Sequence, residues 1–76
     1  MKKMPGYLFC RLSIHDGKEI GNLTIGAVDE DDAMKQALHR AKQEHKDAIL
    51  GKTKGVLYPR GLMGGETWVL LRKVGR

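Results

Sequence analysis

Between Tyr7 and Ile14 the chain alternates. Leu8, Cys10, Leu12 and Ile14 fall on one side, and Tyr7, Phe9, Arg11 and Ser13 on the other. A period of two belongs to a β-strand, whose successive side chains point to opposite faces. Asp16-Gly17 follows, a dipeptide suited to a two-residue type I′ turn because both central positions there need positive φ. The pattern predicts a hairpin whose second strand runs through EIGNLTIGAV, residues 19–28. Gly21 and Gly26 weaken that strand and predict a bulge or a sheet edge.

The period then lengthens. From Asp29 to about Leu50 the apolar and small residues stand at 33, 34, 37, 38, 41, 45, 48 and 49, along one face of a helix. Asp29 suits the N-cap, and Glu30, Asp31 and Asp32 put negative charge at the positive end of the helix dipole. Gly51 supplies a C-terminal stop. Ala33, Ala37 and Ala41 let such a helix, about 30 Å long, lie close on a sheet. Val56 to Tyr58 reads as a short third strand ended by Pro59, RGLMGG as a turn, and ETWVLLRKV as a fourth strand. The expected fold is α+β, a single-domain two-layer sandwich over 1–76 in the order β-β-α-β-β, with one helix on an antiparallel four-stranded sheet.

One helix covers one face of a sheet. If Leu8, Cys10, Leu12 and Ile14 face it, then Tyr7, Phe9 and Arg11 lie on the open face. On the last strand Val69 and Leu71 then join the core while Trp68, Leu70 and Arg72 lie opposite; that strand is apolar on both sides, so the reverse phase also satisfies the pattern. In either phase large apolar side chains remain on the open face, where a monomer rarely keeps a contiguous patch without using it.

Charge sharpens the picture. Residues 1–51 hold eight Lys/Arg and eight Asp/Glu, so the whole net charge of +5 comes from Lys52, Lys54, Arg60, Arg72, Lys73 and Arg76 against Glu66 alone. A neutral body with a basic end favours an anionic partner. Lys35, His39, Lys42 and Lys46 add a basic stripe along one helix flank, either a solvated surface or a track for phosphates. A chain of 76 residues buries only about 60% of its unfolded surface, so its core is thin. Cys10 is the only cysteine, which excludes an internal disulfide and suits a reducing cytoplasm. The start, MKKMPGYLFCRLSI, has the charge of a signal peptide but an apolar run of only Tyr7 to Cys10. No stretch approaches the ~20 apolar residues of a membrane span.

Little in the chain points to catalysis. LGKTKG at 50–55 lacks the upstream glycine of a phosphate loop, since Lys46 stands there, and it follows a helix rather than a strand. YPRGLMGG lacks the tight basic core of a minor-groove arm. Cys10, between Leu8 and Leu12, reads as a buried thiol rather than a nucleophile. His39 and His45 lie about 120° apart on a helix and cannot share a metal. His45 reads as a packed residue and His15 as a solvated one. The expectation is no enzyme, no cofactor and no metal.

Two binding classes remain. In the first, Tyr7, Phe9, Arg11, Arg60, Trp68 and Arg72 form a face for a protein or nucleoprotein partner, with Trp68 as anchor or, alternatively, as core. A homodimer would hide the same face. In the second, Lys35, Lys42, Lys46, Lys52, Lys54 and Lys73 contact DNA or RNA directly with low sequence specificity, and exposed aromatics stack on bases. AVDEDDAMKQALHRAKQEH, a strand end running into an alanine-spaced helix, together with the C-terminal strand pair, resembles the small phage-encoded inhibitors of host defence, some anti-CRISPR proteins among them. That resemblance implies a non-enzymatic inhibitor blocking a nucleoprotein complex in the host cytoplasm.

Overall fold

The structure, a computed structural model, describes residues 5–74. The basic N-terminal lysines and Arg76 lie outside the described residues. The elements are β1 (Gly6–Ser13), β2 (Glu19–Gly26), α1 (Glu30–Glu44), β3 (Ile49–Leu50), β4 (Val56–Tyr58) and β5 (Glu66–Val74). They form one helix and an open antiparallel sheet of five strands in the order β2-β1-β5-β4-β3. The α+β class follows the expectation; the count of four strands is corrected to five, with β3 the addition. None of the helices described is long and apolar enough to cross a membrane.

The helix starts where the sequence places it. Asp29 Oδ1 accepts from the Asp32 N–H at 2.8 Å, and Asp32 Oδ2 accepts from the Val28 N–H at 3.1 Å, so two donors at the helix start are satisfied reciprocally. It ends earlier than expected. His45 turns extended, with φ −141° and ψ 121°, while its N–H still reaches the Ala41 carbonyl at 2.8 Å. Beyond it Ala48 stays in the core, and Ile49 and Leu50 pair with Tyr58 and Leu57. The apolar spacing past Glu44 is therefore real, but a short strand uses it. Gly51 caps no helix; it lies against Val56 and Tyr58.

The first hairpin closes through a longer loop than the expected two-residue turn. Gly17 has φ +70°, Asp16 does not have positive φ, and Ser13 pairs with Lys18 across the loop by a 2.9 Å bond. Asp16 instead accepts from the Lys18 N–H at 2.9 Å. On β2 the register slips between Arg11↔Gly21 and Leu12↔Glu19, leaving Ile20 as an extra residue beside Gly21. The weak glycine strand is thus both bulged and an edge.

The phase of β1 is the reverse of the first arrangement considered. Tyr7, Phe9, Trp68 and Leu57 are buried with Ala33, Ala37 and Ala41 in one cluster, and Leu23, Met34, Leu38 and Leu70 pack against it. Three alanines give the helix a smooth underside that needs bulk from the sheet to fill the space. The aromatic residues supply it.

Candidate functional site

With the aromatics turned inward, cross-strand partners define the other face. Leu8 lies opposite Thr24 and Arg72, Cys10 opposite Asn22 and Val69, and Leu12 opposite Glu19 and Thr67. Val69 continues to Val56, and Tyr58 to Ile49. Leu8, Cys10, Leu12, Val69, Val56, Tyr58 and Ile49 thus form an apolar field across four strands. Glu19, Asn22, Thr24 and Arg72 rim it. Most of these apolar side chains are half-buried by one another, and among the described residues no second layer lies above them.

Cys10 sits low in this field at 6% exposure, and its Sγ donates to Glu19 Oε1 at 3.2 Å. Burial pushes its thiol pKa up, and the Glu19 hydrogen bond and charge push the same way. It is buried, as the sequence implies, but on the face away from the helix. Such a thiol is slow to react at neutral pH. Among the described residues no cluster of three or more His, Cys, Asp or Glu can hold a metal ion.

The expected partner-binding residues scatter. Tyr7, Phe9 and Trp68 belong to the core and offer no face. Arg72, opposite Leu8, is the one member on the open face. Arg11 and Arg60 instead meet at the C-terminal end of α1 around Glu66, which the sequence reading passed over. Glu66 is only 8% exposed. Its Oε1 accepts from Arg11 Nε at 2.7 Å and from the Trp68 indole at 2.9 Å, and Arg60 Nε stands 3.9 Å from Oε2. Burial alone would raise this carboxyl's pKa; the hydrogen bonds from Arg11 and Trp68 and the charges of Arg11 and Arg60 outweigh it and hold the pKa below the ordinary value. A cleft of about 210 Å³ opens beside this group, lined also by Arg40, Glu44 and His45.

The lysines divide. Lys54, Arg72 and Lys73 line one concavity of about 230 Å³ with Tyr7, Leu70 and Glu30, at the N-terminal end of α1. The β4–β5 connection does not bring Arg60 there. Lys54 reaches Glu30 at 3.8 Å, a pair so exposed that it contributes roughly 0–1 kcal/mol. Lys52 is exposed in the same loop as Lys54. Lys35, His39 and Lys42 are exposed on α1, and His39 touches Gln43 at 3.2 Å. Lys46 lies past the end of the helix and breaks the stripe.

The sequence carried a signal for the inward aromatics in its three helical alanines. It carried none for Glu66 and Arg11, which are 55 positions apart and meet only through the β1–β5 pairing. Compared with protein-family models, with curated proteins and with solved structures, the chain gives no match.

Proposed function

We propose that the protein is a non-enzymatic docking protein, an inhibitor or regulator that lays the open face of its sheet on a protein or nucleoprotein partner. The small phage-encoded inhibitors it resembles give that reading its biological setting, the cytoplasm of a host cell. One observation carries it: among the described residues the apolar field from Leu8 to Ile49 has no second layer, whereas the opposite face carries the buried core beneath the helix. Covering such a field regains about 25 cal/mol for each Å² of apolar surface removed from water. Arg72 and Glu19 at its rim give the docking direction rather than strength.

The test is capture from host lysate with nuclease present, comparing the wild type with Val69→Arg and Arg40→Gln. Docking by the open face requires a partner that survives nuclease, is lost with Val69→Arg and is kept with Arg40→Gln. A partner held equally by Val69→Arg, or a wild type that sediments as a stable dimer through this face, refutes it.

The concavity of Lys54, Arg72 and Lys73, with Glu30 as its one acid, favours a second reading. In it this end binds nucleic-acid phosphates, with Lys52 alongside and the helix lysines, Lys35 and Lys42, as outlying contacts. Stacking on Tyr7, Phe9 or Trp68 drops out because they are core. With about four phosphate contacts, log affinity for duplex should fall against log salt with a slope near −3.6. Lys54→Glu with Lys73→Glu should weaken all sequences alike, and Arg60→Glu should not. No binding at about 50 mM salt rules it out.

A further inference from the structure

The cleft at the C-terminal end of α1 belongs to neither reading above. Three arginines from three segments line it: Arg11 from β1, Arg40 from α1 and Arg60 from the loop after β4. Glu66 explains how two of them are held. It accepts a hydrogen bond from Arg11 Nε at 2.7 Å, while Arg60 Nε stands 3.9 Å away as an ion pair. A guanidinium has five N–H donors, so gripping it at Nε leaves terminal donors for something else. Among the described residues, no hydrogen bond uses the terminal nitrogens of Arg11, Arg40 or Arg60. The Trp68 indole fixes Glu66 from the core side, so the arginines around it are oriented by a buried anchor.

We infer that this cleft binds a phosphate monoester group. The charges support an anion, since three arginines face two carboxylates, Glu44 and Glu66. The shape supports phosphate over carboxylate. A tetrahedral phosphate offers three terminal oxygens to forks arriving from three directions, whereas a carboxylate offers two in one plane. The size sets the rest. The cleft measures about 210 Å³. It falls below the ~300 Å³ at which pockets take whole drug-sized molecules. The group bearing the phosphate therefore stays outside.

The probe is inorganic phosphate, followed by phenyl phosphate, at fixed ionic strength, with acetate as the comparison anion. Amide, arginine Nε–H and indole resonances of the full chain report binding. The expected result is saturable shifts at Arg11, Arg60 and Trp68 with both phosphates. Affinity should fall at least tenfold in Arg40→Gln, whose side chain lies on an exposed helix position and whose loss leaves the core intact. Arg60→Gln should reproduce that loss. Shifts that fail to saturate and spread over Lys35, Lys42, Lys54 and Lys73 overturn the inference, as does unchanged affinity in Arg40→Gln. Acetate saturating the same residues as tightly overturns the choice of phosphate. Inorganic phosphate binding without phenyl phosphate overturns the monoester in favour of the free ion.

Discussion

Replacing Glu66 with alanine removes the acceptor of the Trp68 indole and of Arg11 in one step. An unsatisfied buried donor costs roughly 1–3 kcal/mol, so Glu66→Ala should lower the urea midpoint by a corresponding amount. Glu66→Gln keeps one acceptor oxygen and should cost less. The pH dependence has a definite sign. The folded pKa of Glu66 lies below its unfolded value, so the unfolded state binds the proton more readily. Its contribution is complete above the ordinary carboxylate value and is lost as pH falls through the lower folded value. Urea midpoints below about pH 4 should therefore drop more steeply for the wild type than for Glu66→Gln. Cys10 gives the converse case. Its pKa is raised partly by Glu19, so Glu19→Gln should speed alkylation of the thiol at neutral pH; an unchanged rate would mean that burial alone protects it. Neither residue announced this in sequence, because Glu66 looked like one acid in a basic stretch and Cys10 like core.

At the scale of elements, β1, β5 and the start of α1 were legible, and the facing of the strands was not. A strand with apolar residues on both sides has no preferred side of its own, and its partner decides. Here the partner is Ala33, Ala37 and Ala41, all fully buried. If the aromatics of β1 and β5 fill the space those alanines leave, Ala37→Leu should overpack it and destabilise by about 1–3 kcal/mol. Near-UV circular dichroism of Trp68 should change with it. Asp29→Ala should cost about 1 kcal/mol through the lost cap. The far end of α1 was misplaced for another reason. Ala48 remains in the core after the backbone has left the helix, so the apolar period ran on across a change of element. β3, at two residues, carries no period at all.

For the molecule as a whole, the unequal covering of the two sheet faces could be inferred from counting one helix, although the residues on each face could not. The open field should bind an apolar dye such as anilinonaphthalene sulfonate in the folded state, and a Leu8→Lys, Val69→Lys double variant should lose most of that fluorescence while its urea midpoint moves little. Dye binding retained by the double variant would place the apolar surface elsewhere, with Leu62 and Met63 the next candidates, since Met63 is 98% exposed. The strand order has a further consequence, for how the chain assembles. The central pairing of the sheet joins the first strand to the last, with Phe9 opposite Leu70 about 60 residues away, so this contact forms only after nearly the whole described chain has been looped. Gly6 and Val74 are themselves partners, which brings both ends of that loop side by side. Joining the ends with a short linker and reopening the chain between Leu62 and Met63 would make β5 and β1 a local hairpin. Each halving of a loop saves about 0.6 kcal/mol of closure entropy, and shortening the Phe9–Leu70 separation from about 60 to about 16 residues is two halvings, roughly 1.2 kcal/mol. Followed by Trp68 fluorescence in stopped flow, the rearranged chain should refold faster than the natural one while its contacts stay the same. Equal rates would mean that the β1–β5 pairing forms after the rate-limiting step.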